Sequence, residues 1–365
     1  MSEQPTALPQ AILDALACSR FLRRQLDSRS WLAARLALSI DAPLDATALR
    51  DFLRDEKIDD NNLKPVLRKL RAWVICHVLV RDIARLADLT EVTETMTLLA
   101  DIAVEAAHDI LREQLVARHG VPVSVDGREQ EFVIIGMGKL GGRELNVSSD
   151  IDLIFVYPED GSTAGLRVID NFEFFTKLGK GLIQALNDIT GDGQVFRVDM
   201  RLRPNGDSGP LVASFDMLEN YFITQGREWE RYAWIKARVM TGIRGAELSA
   251  IARPFIFRKY LDFGAINAMR DLHAQIRREV ARKDMADNVK LGPGGIREIE
   301  FLAQVFQLIR GGRDTALQIK PTLKVLGKLA ERAIITPEAE RKLVVAYTFL
   351  RNLEHRLQYL DDAQT

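Results

Sequence analysis

Two aspartates at the start of an apolar strand pattern are the residues best suited to chemistry in this sequence. Asp150 and Asp152 lie two positions apart at the head of the run from Ile151 to Tyr157, so both side chains project from one face of the predicted strand. Like charges side by side are unfavourable unless a cation holds them together. A strand that opens in this way therefore indicates a metal site.

A later segment, Val195 to Leu202, supplies a third carboxylate, Asp199. The arginines that share the face of Asp199 by period two are Arg197, Arg201 and Arg203. Next to Asp150 and Asp152, this face would give three carboxylates flanked by guanidinium groups. Mg2+ takes oxygen ligands and bridges to phosphates, and arginine binds phosphate oxygens in bidentate fashion. The set predicts metal-dependent phosphoryl or nucleotidyl transfer.

A glycine-rich turn separates the first strand pattern, Glu131 to Gly136, from Asp150. Backbone N–H groups in such a turn can approach a phosphate at the start of a short helix. The residues that we expect to bind phosphate or nucleotide here are Gly138, Lys139, Gly141, Gly142 and Ser149. The glycines also fit the dinucleotide-binding pattern G-x-G-x-x-G, but only some ten residues connect the two strands. A parallel crossover needs about a dozen or more, so a Rossmann fold is not expected.

A structural interpretation of the same charged residues stays open. Asp150 could cap a turn, and Asp199 could pair with Arg197 or Arg201 across a surface sheet. Arg201 and Arg203 could equally form a solvated or salt-bridged strand face. The combination of glycine turn, Asp-x-Asp strand and a third aspartate in an arginine-rich strand favours the metal site.

The elements around this centre are mainly helical. Residues 1–120 show helical spacing throughout and end at Gly120, a plausible helix stop. Helical spacing returns from Asn171 to Leu186 and in a long amphipathic segment from Pro337 to Asp362. The sequence predicts a helical subdomain over 1–120, a core with a mixed sheet over 121–270 and a helical bundle over 271–365. The fold class is α+β, mostly helical.

Composition excludes several functional classes. The 365 residues contain 50 Lys and Arg against 51 Asp and Glu, so a broad nucleic-acid surface is not expected. Two cysteines, Cys18 and Cys76, rule out a disulfide scaffold. The first residues lack the order of a signal peptide, and no apolar stretch approaches the ~20 residues that span a bilayer. A cytoplasmic protein without membrane or nucleic-acid partners is predicted.

The strand, glycine turn, short helix, Asp-x-Asp strand and later carboxylate resemble the DNA polymerase β-type nucleotidyltransferase superfamily. Gly141-Gly142 stands where that superfamily usually has Gly-Ser. The resemblance implies a small polymerase β-like core flanked by helical subdomains.

Five longer segments carry a more specific resemblance. GMGKLGGRELNVSSDIDLIF, FRVDMRLRPNGDSGPLV, QGREWERYAWIKAR, KLGPGGIREIEF and FLRNLEHRLQYLDDAQT together resemble the bifunctional glutamine synthetase adenylyltransferase/adenylyl-removing enzymes. Members of that family carry two related transferase halves, and the GDSGPL and REWERYA motifs are typical of the N-terminal half. We therefore expect the chain to stop before a second half.

The resemblance implies a function that site chemistry alone leaves open. The N-terminal half of the family uses inorganic phosphate to remove AMP from a tyrosine of adenylylated glutamine synthetase, releasing ADP. Asp150, Asp152 and Asp199 would be the catalytic metal ligands for Mg2+, with Mn2+ as a substitute, and Arg201 and Arg203 the candidates for phosphate contacts. The PII signal protein regulates the full-length enzymes. The alternatives are an ATP-dependent adenylyltransferase acting on glutamine synthetase or another protein, and a noncatalytic helical interaction module.

Overall fold

The computed structural model describes residues 8–259, 274, 278 and 288–362. The helices of this part are α1 Gln10–Cys18, α2 Arg20–Ser28, α3 Ser30–Ser39, α4 Ala46–Asp55, α5 Leu63–Ile83, α6 Leu89–His119, α7 Gly138–Gly141, α8 Asn171–Asn187, α9 Phe215–Thr224, α10 Glu228–Trp234, α11 Gly245–Ile256, α12 Ile296–Arg310, α13 Thr322–Glu331 and α14 Pro337–Asp361. The strands are β1 Pro122–Ser124, β2 Val133–Gly136, β3 Ile151–Tyr157, β4 Gly161–Thr163, β5 Val198–Asp199, β6 Val212–Ser214 and β7 Arg238–Val239. The predicted α+β, mostly helical fold with a small mixed sheet is confirmed. No described helix is long and apolar enough to cross a membrane.

Helical spacing in the first third of the chain builds an all-helical layer. The predicted apolar positions of α5, which include Leu67, Leu70 and Val74, are all buried. Helix α6 ends at His119, and Gly120 follows it with φ +82°, a backbone conformation that side chains rarely adopt. The predicted helix stop at Gly120 is therefore confirmed. A continuous apolar core joins this layer to one face of the sheet.

Strand β3 lies in the middle of the main sheet. It pairs antiparallel with β2, which pairs antiparallel with β7. On its other side β3 pairs in parallel, first with β5 at Ile151 and Asp152 and then with β6 from Phe155 to Tyr157. Because β2 and β3 are antiparallel, they cannot form the βαβ unit of a dinucleotide-binding fold. The prediction that the glycine-rich turn is no Rossmann fingerprint is confirmed.

The strands bury a different set of side chains on each face. Phe132, Ile134, Leu153 and Phe155 pack toward the N-terminal helices and α8, and their neighbours Val133 and Ile154 pack toward α9 to α11. By the same alternation, Asp150 and Asp152 share the second face with Ile154, and both are half-buried.

The helices α12, α13 and α14 form a third core, with Ile299, Leu326 and Tyr347 among its buried residues. Helix α14 matches the long helix predicted from Pro337. The division of the chain at residues 120 and 270 stays a prediction, and residue 270 lies outside the described residues.

Gly120 offers a test of how tightly α6 is joined to the loop after β4. A Cβ at Gly120 would lie 2.5 Å from backbone atoms of Ala164 and Gly165, whereas one at Gly127, which has nearly the same φ of +79°, would meet nothing within 4 Å. We expect Gly127→Ala to lower the free energy of unfolding by roughly 1–2 kcal/mol through backbone strain. Gly120→Ala should cost roughly 1–3 kcal/mol more, because backbone must move. Urea denaturation of both variants checks this, and equal losses would contradict it.

Candidate active site

Asp152 and Asp199 are direct neighbours across two parallel strands. The register of β3 and β5 pairs Asp152 with Asp199 and Ile151 with Val198. Side chains at paired positions project from the same face of a sheet. The glycine-rich turn lies against this pair, since a Cβ at Gly138 would be only 2.9 Å from Asp152 Oδ2. The structure thus brings together two of the three predicted carboxylates and the first glycine of the turn.

The charge of Asp152 is poorly compensated. Burial raises the pKa of its carboxyl to about 6, and the charges of Asp199 and Asp150 add to the increase. Lys290 and Arg201 oppose it but do not cancel it. Such a pKa is typical of carboxylates gathered without their cation.

Asp150 is directed to an arginine. Its carboxylate accepts a hydrogen bond from Arg197 Nε, and Arg197 Nη2 donates to the carbonyl oxygen of Ser148 at 2.5 Å. Asp150 is close enough to raise the pKa of Asp152, but its own charge is neutralised by Arg197.

The predicted strand from Val195 to Leu202 is wrong in its length, because only Val198 and Asp199 pair as strand. The Asp199 carboxylate accepts a hydrogen bond from the backbone N–H of Arg201 at 2.8 Å. An aspartate that binds backbone two residues ahead turns the chain away from the sheet. Arg201 Nη2 also donates a hydrogen bond to Asp199 Oδ2 at 2.5 Å, and these hydrogen bonds lower the pKa of Asp199.

The expectation that Arg203 shares the face of Asp199 fails for the same reason. The Arg203 guanidinium donates to the carbonyl oxygens of Met200 at 2.8 Å and Asp207 at 3.2 Å. It therefore closes the loop after β5. Arg201, in contrast, leaves 73% of its side chain exposed and can reach a ligand.

The carboxylate pair fits a divalent cation, although no metal cage is preformed. Within residues 8–259 and 288–362, no group of three His, Cys, Asp or Glu side chains is arranged to hold a metal ion. Asp152 and Asp199 supply two oxygen-bearing groups, and the uncompensated charge of Asp152 is what a hard cation would neutralise. The structural interpretation of Asp199 as a partner of Arg201 matches the contact observed here.

The rest of the glycine-rich turn is used for packing. A Cβ at Gly141 would lie 1.9 Å from the carbonyl oxygen of Lys236, so only glycine fits. At Gly142 it would lie 2.9 Å from Glu144 Oε2. Ser149 is half-buried two residues before β3.

Lys139 contacts helix α14. Its ammonium lies 3.3 Å from Glu354 Oε2, and burial lowers its pKa to about 8.

The contact between α14 and the loop at 142–150 was missed by sequence reasoning. Buried Arg351 donates from Nη2 to the carbonyl oxygen of Glu144 at 2.7 Å and to Asn146 Oδ1 at 2.5 Å. Further along the helix, Gln358 Oε1 accepts from the backbone N–H of Ser148 at 3.2 Å. The sequence feature that could have indicated this contact is the run of charged residues among the apolar positions of α14.

Lys290 was also missed as a cation near Asp152. It stands at the start of KLGPGG, a glycine-rich turn before a helix, for which the sequence favours a tight connection between helices over an anion site at the helix N-terminus. Its charge lowers the pKa of Asp152.

Comparison with known proteins identifies related sequences. Residues 10–252 match the family model of glutamate-ammonia ligase adenylyltransferase, and residues 270–365 match that of GlnD PII-uridylyltransferase. A protein of Aromatoleum aromaticum is 68% identical over 365 residues, which are 100% of this chain and 39% of that protein. One of Chromobacterium violaceum is 55% identical over 99% of this chain and 40% of its own length. Both are named bifunctional glutamine synthetase adenylyltransferase/adenylyl-removing enzyme. The chain thus spans about two fifths of the length of these relatives.

Replacing Asp152 tests the repulsion in the carboxylate pair. A carboxyl whose pKa is raised to about 6 in the folded state destabilises the fold increasingly as pH rises from about 4 to 6. Asp152→Asn should therefore raise the free energy of unfolding at pH 7 by about 1–3 kcal/mol, with no gain at pH 4. Urea denaturation at both values measures it. The exposed Asp126, changed to Asn, is the control, and a loss of stability in Asp152→Asn at pH 7 would refute the argument.

Replacing Arg351 tests the contact between α14 and the loop. Arg351→Met leaves the carbonyl oxygen of Glu144 and Asn146 Oδ1 without their buried donor and leaves Glu354 with Lys139 as its partner, so a loss of about 3–5 kcal/mol in the free energy of unfolding is expected. Lys342→Met, on the same helix, breaks only an exposed pair with Glu338 and should change stability by less than about 1 kcal/mol. Similar losses in the two variants would show that the buried contact adds little.

Proposed function

The chain belongs to the glutamate-ammonia ligase adenylyltransferase family, and from this premise we propose that it removes AMP from adenylylated glutamine synthetase by phosphorolysis. Inorganic phosphate would be the acceptor, and ADP and the unmodified tyrosine the products. The observation that supports a transferase centre most directly is the pairing of Asp152 with Asp199 beside Gly138.

The direction of transfer is inferred from resemblance. The segments Gly206 to Leu211 and Arg227 to Ala233 are similar to the N-terminal, AMP-removing half of the bifunctional enzymes. The names of the relatives point to glutamine synthetase as the protein substrate. The proposal places the reaction in the cytoplasm. The regulatory PII protein would act on the longer enzyme.

Asp152 and Asp199 would hold Mg2+ or Mn2+, and Asp150 would join them once it leaves Arg197. When bound, such an ion would neutralise charge on the reacting phosphate oxygens and on the departing tyrosine oxygen. The carboxylates would fix the position of the ion, and the turn at Gly138 would let the phosphates approach closely.

The transfer itself exchanges one phosphorus–oxygen bond for another. An oxygen of inorganic phosphate attacks the phosphorus of the AMP group while the bond from that phosphorus to the tyrosine oxygen breaks. The phenolate then takes a proton from water, since a free tyrosine has a pKa of ~10. Two anions must meet for this reaction, and the exposed guanidinium of Arg201 and the ammonium of Lys290 are the cations available beside Asp152 to offset their repulsion.

The proposal is tested with glutamine synthetase that carries radiolabelled AMP. With phosphate and Mg2+, the chain should release labelled ADP, and Asp199→Asn should lower the rate at least ~100-fold because one charge of the pair is lost. Asp126→Asn, an exposed position outside the site and outside the family motifs, is the matched control and should keep the rate within about twofold.

A second assay supplies labelled ATP and unmodified glutamine synthetase. No label should reach the protein. Transfer of AMP from ATP, without phosphate-dependent release of ADP, would assign the opposite direction. Release of ADP that survives in Asp199→Asn would place the chemistry elsewhere.

A further inference from the structure

A small cationic cavity lies on the other side of the arginine that holds Asp150. Its volume is about 210 Å3, and it is enclosed by α2, α5, the segment between α8 and β5, and the residue after α14. The charged residues that line it are Arg29, Arg68, Arg71, Arg197, Asp192 and Asp362.

The charges of this cavity do not balance. Arg71 pairs with Asp362 at 2.7 Å. Arg68 donates only to neutral backbone carbonyls, among them that of Gly193 at 2.8 Å. Arg29 donates to Gln25 Oε1 at 2.7 Å and to the carbonyl oxygen of Asp192 at 3.2 Å, also neutral acceptors. The four guanidinium groups carry four positive charges. The carboxylates of Asp362, Asp192 and Asp150 together carry only three negative charges, so a positive excess remains.

Several donors around the cavity are unused. Arg71 Nε is buried and has no hydrogen-bonding partner within the described part of the chain. A buried donor without a partner costs about 1–3 kcal/mol, and an anion that accepted its hydrogen bond would remove that cost. Arg197 uses Nε and Nη2, which leaves Nη1 available at the cavity wall.

We propose that this cavity binds a small oxyanion, a phosphate-like or carboxylate group, and that the anion draws Arg197 away from Asp150. Planar guanidinium groups match such oxyanions in bidentate fashion. The volume of about 210 Å3 is below the roughly 300–1,000 Å3 of pockets for larger ligands, so the cavity matches a small anionic group better than a whole nucleotide. The regulatory consequence rests on the proposed function, because Asp150 matters there as the third metal ligand.

Anion binding in the cavity and cation binding at the aspartates both involve Arg197, so each affects the other. Arg197 is at once the partner of Asp150 and part of the cavity wall. An anion that binds Arg197 in place of Asp150 leaves the Asp150 carboxylate without its counter-charge beside Asp152. This negative charge then favours the binding of a divalent cation. A cation bound at the aspartates must strengthen anion binding by the same factor.

Binding is tested by calorimetry with sulfate as the probe, at constant ionic strength. Arg29→Gln and Arg71→Gln should each weaken sulfate binding about 10-fold or more, since a charge-assisted hydrogen bond is lost. Arg24→Gln removes the same charge from helix α2, five residues before Arg29 and outside the cavity, and should leave the affinity unchanged. Arg201→Gln reports on the active site, and a loss of sulfate affinity in this variant equal to the losses in Arg29→Gln and Arg71→Gln would place the anion at the aspartates and overturn the proposal. Equal affinity in all four variants, or no sulfate binding at all, overturns the proposal.

The coupling is tested by Mn2+ binding followed by electron paramagnetic resonance. Sulfate should tighten Mn2+ binding several-fold, and succinate, a carboxylate probe, should act in the same direction. In Arg197→Gln the affinity for Mn2+ should already be high and should not respond to sulfate. A response that persists in Arg197→Gln overturns the coupling. These readouts do not depend on ADP release, so a failed phosphorolysis assay with intact sulfate binding would reject only the proposed function.

Discussion

The rest of the site depends on the contacts of the Arg351 guanidinium group. This group is buried where α14 crosses the loop between α7 and β3. That loop has little regular structure, yet it leads directly into Asp150 and β3. Arg351 donates to the carbonyl oxygen of Glu144, to Asn146 and to the hydroxyl of Tyr347. A buried cation is costly unless its donors are used. Here the donors fix the path of the loop, so the need to satisfy the buried charge sets the position of the aspartates.

The same network connects the loop to the rest of the helical bundle. Glu144 accepts from the backbone N–H of Thr322 at 2.5 Å and pairs with the ammonium of Lys236. Lys139, three residues from Gly142, is held by Glu354. The glycine-rich turn is therefore anchored at Lys139 and at Glu144. Rigid support of this kind keeps catalytic groups in place within the small tolerances that chemistry requires.

Sequence reasoning succeeded where a local pattern decides the structure. The period-two alternation of β3 sets which face carries Asp150 and Asp152, and the requirement for glycine at residue 120 marks the end of α6. It failed where side chains compete with the backbone. A strand pattern through Val195 to Leu202 contains no sign that the Asp199 carboxylate will bind the N–H of Arg201 and end the strand. The spacing of residues also gives no indication of the contact between Lys139 and Glu354, which are 215 positions apart along the chain.

The charges around Asp152 explain how the same arginines could act both when the site holds no cation and when it holds one. In the structure, Arg197 neutralises Asp150 and Arg201 neutralises Asp199, while Asp152 between them lacks a comparable partner. A divalent cation at the aspartates would compete with both arginines, because one doubly charged ion can take oxygen ligands from several carboxylates at once, whereas each guanidinium group here pairs with a single aspartate. Arg201 is exposed and would then be free for an anionic ligand, whereas Arg197 remains tied to Ser148 at the wall of the cationic cavity. Under the two proposals, the repulsion at Asp152 would thus be the physical cause that makes cation binding, phosphate binding and the state of the cavity depend on one another.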